Sequence, residues 1–264
     1  HKEDADYYIS GLFQFNSSYP LIKKKNNFRK LFRPKMSLNF SPNDTRDISH
    51  KEYKIDVNNI FNLDRISSSE TLEGGVSLAY GSDYVLTNEN NNREIFSLKL
   101  ANNLRINENN DIERNNQLGA KTSNFFGEIT YSPLESFSST YKFSTLNNLS
   151  NINYQNLITE LKFNNFTNTI DYLRQDGDKN SYFLNKTTYK FDETKSISFS
   201  TRENLKSDLT EYYNLIYQYE NDCLIASIEY QKDYYSDSEI RPSENIFVNL
   251  TIIPFGTTKS PNLK

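Results

Sequence analysis

Apolar and polar residues alternate with a period of two along most of this chain, and helical periodicity is scarce. In the clearest stretch Ile246, Val248, Leu250 and Ile252 lie on one face, against Phe247, Asn249, Thr251 and Ile253. Upstream, Leu224, Ala226, Ile228 and Tyr230 alternate with Ser227, Glu229, Gln231 and Asp233. Phe137, Ser139, Tyr141 and Phe143 oppose Ser138, Thr140, Lys142 and Ser144, and Ile197 and Phe199 are set among Ser196, Ser198 and Ser200. Such faces want opposite solvents. The segments are roughly 9–13 residues long, about what a tilted strand needs to cross a bilayer.

Between the strands, tight and wide connections alternate. Asn, Asp, Ser and Pro chemistry predicts tight turns at Asn164-Asn165, Asp192 to Thr194, Glu220 to Asp222 and Ser132 to Glu135. Wider polar connections are expected at Gln175 to Asn180, Glu203 to Ser207 and Ser236 to Asn245. The longest are Ser41 to Ser69 and Asn107 to Thr122. Outer-membrane barrels show this asymmetry, with short periplasmic turns and longer outer loops. With a final strand at Asn245 to Ile253 ending on the periplasmic side, both longest loops fall outside. Thr87 to Arg93 then falls inside, although it is longer than the other inner turns. The expected fold is therefore all-β: an antiparallel transmembrane β-barrel, partial, with about thirteen strands of a larger barrel. It would occupy residues 1–256 and leave 257–264 as a polar C-terminal tail.

A soluble β-sandwich or solenoid also alternates. Three features favour the barrel: strands longer than the usual five or six residues, loops that differ between ends, and aromatic residues near strand ends. Examples of the last are Tyr7 and Tyr8, Tyr217 and Tyr219, and Tyr234 and Tyr235. Composition agrees. The 264 residues are only 36% hydrophobic, yet include 19 Tyr and 18 Phe, too many for a disordered polar chain. Mean hydropathy is -0.76, so apolar material is spread thinly, as a water-lined barrel without a dense core allows. No apolar run approaches the roughly 18 residues of a membrane helix, and the net charge of -4 leaves no basic footprint for nucleic acid. The only Met is Met36 and the start is polar, so the natural N-terminus is expected to be missing.

Chemistry is sparse. His1 and His50 lie near no nucleophile motif, and one Cys cannot build a Cys/His metal site. The acidic stretch Asn107 to Glu113 lacks calcium-loop spacing, and Gly74-Gly75 lacks phosphate-loop context; a strand position allowing close packing or a bend fits it better. No enzyme, metal or cofactor is expected. Cys223 follows the Glu220-Asn221-Asp222 turn, at what would be an oxidising periplasmic rim. Position alone leaves open whether it is bonded or simply a small buried side chain.

Several segments, in order, resemble one family. Ser18-Tyr19-Pro20-Leu21 and Leu31-Phe32-Arg33-Pro34-Lys35 look like paired strands around a periplasmic turn. Asn59-Ile60-Phe61-Asn62-Leu63-Asp64-Arg65 and Glu73-Gly74-Gly75-Val76-Ser77 look like an F-x-x-x-R loop and the E-G-G-x-S strand after it. Tyr219-Glu220-Asn221-Asp222-Cys223-Leu224, Asp233-Tyr234-Tyr235 and Ile253-Pro254-Phe255-Gly256 resemble closing strands. Together they are similar to the C-terminal half of the barrel of the lipopolysaccharide-assembly outer-membrane family LptD (OstA, Imp), its alphaproteobacterial members most of all. The likeness is strongest over 18–85 and 211–256.

The resemblance implies a passive transporter in the outer membrane of a Gram-negative cell. Its partners would be lipopolysaccharide, an LptE-like lipoprotein plug, and a periplasmic lipopolysaccharide-transport bridge reached through a missing N-terminal domain. Release into the outer leaflet would use a lateral seam beside the last strand, here Ile246, Phe247, Val248, Asn249, Leu250, Thr251 and Ile252. Cys223 sits where the family ties a C-terminal cysteine to the periplasmic domain by disulfide. Asp222 precedes it where some members have a second cysteine, which leaves its partner open. A general porin or receptor-type barrel is the alternative.

Overall fold

The computed structural model describes residues 11–51, 53–68, 71–112, 114–175, 181–234, 242–253 and 256–259. Among them every regular element is a strand, and together these form one antiparallel sheet. In chain order they are β1 (Phe13–Ser18), β2 (Leu21–Lys25), β3 (Phe28–Ser41), β4 (Gly75–Asn88) and β5 (Arg93–Arg105). Next come β6 (Phe125–Leu134), β7 (Phe137–Thr145), β8 (Ile152–Phe163), β9 (Phe166–Gln175) and β10 (Tyr182–Lys190). The last are β11 (Lys195–Asn204), β12 (Leu209–Glu220), β13 (Leu224–Asp233), β14 (Ser243–Ile252) and β15 (Gly256–Lys259). From β3 onward each strand pairs with the next in sequence, while β1 and β2 share the other side of β3. Among the described residues β1 pairs with β3 and β15 with β14.

Sequence alternation placed the strands well and their ends less well. The sheet has 15 strands where about thirteen were expected; β1, β2 and β15 are shorter than a barrel strand needs. Ser132, Pro133 and Leu134, expected in a turn, belong to β6, and the reversal is Glu135-Ser136. Part of the expected polar tail, Thr257 to Lys259, belongs to β15, which pairs with Asn249 to Ile252 of β14. The strand expected to be last is therefore followed by another.

The connections do alternate. Tight ones are Asn26-Asn27, 89–92, Glu135-Ser136, Asn164-Asn165, 191–194 and 221–223. Those between them are mostly longer, and the longest are 42–74 and 106–124. The connection after Thr87 is no exception, because β4 runs to Asn88 and β5 starts at Arg93. Residues 176–180 and 235–241, in two of the expected outer loops, lie outside the described residues, as do Tyr7, Tyr8 and Tyr235.

Local chemistry explains the turns. Asn26 and Asn27 both take positive φ, 50° and 61°, as a two-residue hairpin turn requires, and Asn tolerates that region. Asp192 Oδ1 accepts hydrogen bonds from the backbone N–H groups of Thr194 and Lys195, both at 2.8 Å, and from Thr194 Oγ1. The Thr194 hydroxyl, then its amide, hold the Asp192 carboxyl down to about 2, against an ordinary 3.8. A carboxyl whose pKa is lowered by folding stabilises the fold above its unfolded value and stops doing so as pH falls through the folded one. Asp192→Asn is therefore expected to weaken this hairpin at pH 7 but not at pH 2, which amide exchange at Thr194 and Lys195 would read.

The chain divides into two compact units. One comprises His1–Thr130 with Lys142–Asn153, the other Tyr131–Tyr141 with Tyr154–Lys264. In the second, register puts Ile246, Val248, Leu250 and Ile252 on the same face as Tyr230, Ile228, Ala226 and Leu224. That face continues through Leu215 and Tyr217 to Phe199 and Ile197. Most of its large apolar side chains are exposed, Ile228 by 54%. The opposite face is polar and internally bonded. Asn249 Nδ2 donates to Ser227 Oγ at 3.3 Å, Asn214 Nδ2 to Glu229 Oε1 at 2.7 Å, and Asn156 Nδ2 to Asp171 Oδ1 at 2.6 Å.

Candidate functional site

The first unit shows the same inversion more strongly. Register places Phe28, Phe32, Met36, Leu38 and Phe40 of β3 on one face with Tyr84, Tyr80, Leu78 and Val76 of β4. Phe13 and Phe15 of β1 join them opposite Phe40 and Leu38. Phe13 is 64% exposed, Phe15 62% and Phe40 45%. The buried residues lie on the other face and are mainly polar: Ser37, Asn39, Ser77, Asp83, Lys99's neighbour Ser97, Asn103, Arg105 and Glu128. A water-soluble sheet buries its apolar side, whereas this one exposes it.

What covers the polar face is the chain's own long connections. Ile55, Val57 and Ile60 from 42–74, and Ile112 and Leu118 from 106–124, pack in one cluster with Ala79, Ala101 and Phe126 from the strands. Small alanines on β4 and β5 leave room for these side chains. The sequence showed Ser41 to Ser69 as a long polar connection, as it is, but not that it packs on the sheet, because five buried aliphatic residues scattered through polar stretches carry no period. Their signal was only that a solvated loop has no need of Ile55, Val57 and Ile60 so close together.

The return of this connection into β4 is ionic. Arg65 reaches Glu73 with two hydrogen bonds, Nε to Oε2 at 2.7 Å and Nη2 to Oε1 at 2.5 Å. It also donates to Ser77 Oγ at 2.8 Å, Asn103 Oδ1 at 2.9 Å and the Ile60 carbonyl at 3.2 Å. Arg105, at the end of β5, donates to Glu73 Oε1 and to the carbonyl of Gly74. All three charged side chains are almost fully buried. Burial alone would raise the Glu73 pKa, but Arg65 and then Arg105 outweigh it and hold the carboxyl below its ordinary value. The F-x-x-x-R and E-G-G-x-S segments noted in the sequence thus meet in one network, which the sequence quoted without showing why.

The glycines are part of the join. Gly75 has φ +86°, and a Cβ on Gly74 would fall 2.2 Å from the backbone oxygen of Asn43. Gly74→Ala is therefore expected to destabilise the fold by about 1–3 kcal/mol, the usual cost of overpacking against backbone, read as a lower urea midpoint.

A second charged row crosses the polar face. Arg33 Nη2 and Lys35 Nζ reach Asp83 at 2.6 and 2.9 Å, and Lys99 and Lys142 reach Glu128 at 2.7 and 3.6 Å. Register sets Asp83 opposite both Arg33 and Lys99, so the row steps strand by strand. The covering connection touches it twice: Asn58 bonds Lys99 Nζ at 3.1 Å and Glu128 at 3.3 Å, and the Phe61 ring lies 4.4 Å from Lys35 Nζ.

The residues singled out from sequence lie elsewhere. Cys223 is exposed and free, in the Asn221–Cys223 turn; Asn221 Oδ1 accepts from its N–H at 3.0 Å. Its carbonyl accepts from the Ile253 N–H at 2.9 Å, which brings it beside the end of β14. Ile246, Phe247, Val248, Asn249, Leu250, Thr251 and Ile252 do lie on one strand, β14. The apolar members Ile246, Val248, Leu250 and Ile252 are exposed, between 37% and 44%. His50 is exposed in the 42–74 connection. Among the described residues no group of three or more His, Cys, Asp or Glu converges as metal ligands would.

By fold and face the chain is an all-β protein with an antiparallel sheet that exposes its apolar side and, in the first unit, covers its polar one. No protein-family model matches it, and no curated protein sequence does.

Proposed function

We propose that this chain is part of the wall of an outer-membrane β-barrel that assembles lipopolysaccharide into the outer leaflet of a Gram-negative cell. The observation that carries the membrane reading is the inverted sheet: exposed Phe, Leu, Ile and Tyr on one face, buried charge and amide on the other. Lipid would solvate the first face at little cost, and water or cargo the second. Tight turns alternating with wider connections support the same reading.

The cargo assignment rests on the resemblance to the LptD family, supported by the bridge from Arg65 to Glu73 between its two central motifs. Under this reading the partners are lipopolysaccharide, an LptE-like lipoprotein plug, and a periplasmic bridge engaged by an N-terminal domain. Cys223, exposed at the tight-turn end, would be the disulfide candidate. The seam would run beside β14, whose Asn249 to Ile252 are covered by β15. A porin would serve by an open polar lumen, whereas here the polar face of the first unit is covered by its own connections.

The test is depletion of the full-length protein in its own cells, with surface lipopolysaccharide measured beside ion conductance of the reconstituted protein. Loss of surface lipopolysaccharide with little steady conductance is expected. Normal surface lipopolysaccharide with a steady open conductance would contradict the proposal and favour a porin.

A further inference from the structure

The charged row on the polar face of the first unit holds more positive charge than its own acids balance. Among the described residues, Arg33, Lys35, Lys99 and Lys142 form ion pairs with Asp83 and Glu128, four cations against two carboxylates. The chain as a whole has a net charge of -4, so this local excess runs against composition. Two of the ammonium groups complete their surroundings with neutral groups from the covering connection, Lys99 with the Asn58 amide oxygen and Lys35 with the Phe61 ring. Those are weak substitutes for an anion, since hydrogen bonds to a charged acceptor are roughly twice as strong.

Where it meets the row, the covering segment reaches it with two side chains, while the flanking Val57 and Ile60 are buried on the sheet. Asn58 makes its side-chain contacts at 3.1 and 3.3 Å, and the Phe61 carbonyl accepts from Gln14 Nε2 at 3.0 Å. The anchors of the segment flank these groups in the Ile55, Val57 and Ile60 cluster, against which Phe61 also packs, and lie further along at Arg65 and Glu73. The row itself is partly open: the side chains of Lys35, Lys99 and Lys142 are 20%, 29% and 32% exposed.

We infer that the Arg33–Lys35–Lys99–Lys142 row is a binding track for the phosphate groups of a glycolipid, and that Asn58 and Phe61 occupy the anion's place until it arrives. A phosphate dianion bridging Lys35 and Lys99 would match the excess of two charges and displace only the amide and the ring. Asp83 and Glu128 keep the lysines extended across the strands, and so preorganise the track. The inference rests on the lipopolysaccharide reading above and deepens it, by naming the cargo group recognised and the residues that recognise it.

The experiment uses the full-length protein in lipid nanodiscs, with photoreactive benzoylphenylalanine at position 58 and, separately, at several other polar-face positions. The probes are lipopolysaccharide, the same lipopolysaccharide after phosphatase treatment, and inorganic phosphate as competitor. Position 58 is expected to cross-link phosphorylated lipopolysaccharide, with a yield about tenfold lower for Lys35→Gln or Lys99→Gln and for the dephosphorylated form. Lys35→Arg and Lys99→Arg should keep most of the yield, and heat-modifiable migration confirms that each variant is folded. Equal cross-linking of phosphorylated and dephosphorylated forms, or yields unmoved in folded Lys→Gln variants, would overturn the inference and make the row purely structural. Cross-linking at other polar-face positions but not at 58 would overturn it while leaving the transport reading standing. No cross-linking anywhere would sink both. If millimolar inorganic phosphate abolished labelling, the row would be a site for free phosphate, and the glycolipid assignment would fail.

Discussion

Glu73→Ala is expected to be the most damaging single substitution in the first unit, costing about 3–5 kcal/mol, because it strands two buried guanidinium groups without a counter-charge. Arg65 and Arg105 are 0% and 1% exposed, so water cannot take the carboxylate's place. The loss should appear as a lower urea midpoint for the full-length protein in lipid, and as faster proteolysis within 42–74, which Arg65 and Glu73 hold to β4. Glu73→Gln separates charge from shape. It keeps one acceptor oxygen, yet it should still lose much of this stability at pH 7.

The pH dependence has a definite sign. Glu73 is held below its ordinary value of 4.5 in the folded state, so its contribution is complete above that pH and is lost as pH falls through the lower folded value. The gap between the native protein and Glu73→Gln should therefore be widest above about pH 4.5 and narrow in acid. A gap independent of pH would place the effect in packing instead of charge.

The second large effect concerns the exposed apolar face. Ile228 lies mid-strand in β13 and is 54% exposed, while Ser227 beside it points to the polar face and accepts a hydrogen bond from Asn249. If lipid meets the apolar face, Ile228→Arg should cost about 2–4 kcal/mol for folding into bilayers, with Ser227→Arg costing far less. If water meets it, Ile228→Arg is an ordinary surface change and should stay within about 0.5 kcal/mol. Urea unfolding in vesicles, with both variants side by side, separates the two.

Much of this fold was legible in sequence because each strand must sort its side chains between two solvents. The alternation Ile246-Phe247-Val248-Asn249 shows the two faces of β14, and pairing sets these residues opposite Tyr230 to Ser227, whose alternation matches. Turns were legible where side-chain chemistry is local, as with Asp192 accepting from Thr194 and Lys195, and at Asn164-Asn165. β15 was missed because Gly256-Thr257-Thr258-Lys259 has no apolar alternation; it gains its place by pairing with β14.

The covered polar face was harder to see. Arg65, Glu73 and Arg105 come from a connection, the approach to a strand and a strand end, and nothing in their spacing says that they meet. The charged row has a similar origin. Arg33, Asp83, Lys99, Glu128 and Lys142 sit on five strands, and only register aligns them. Long-range partners of this kind need the pairing of strands before they can be read. Cys223 was expected just after the turn at the start of a strand; it lies in the turn itself, one residue before β13, and it is exposed, not a small buried side chain.

The most direct measurement of the central claim is a spin-label scan along β13 of the full-length protein in lipid bilayers, one label at a time from Ala226 to Gln231. Labels at Ala226, Ile228 and Tyr230 should collide readily with dissolved oxygen and hardly with a water-soluble nickel chelate, while those at Ser227, Glu229 and Gln231 should show less oxygen contact, giving a period of two. Nickel access at Ile228 equal to that of a fully solvated turn label, or no alternation between neighbours, would contradict a lipid-facing sheet.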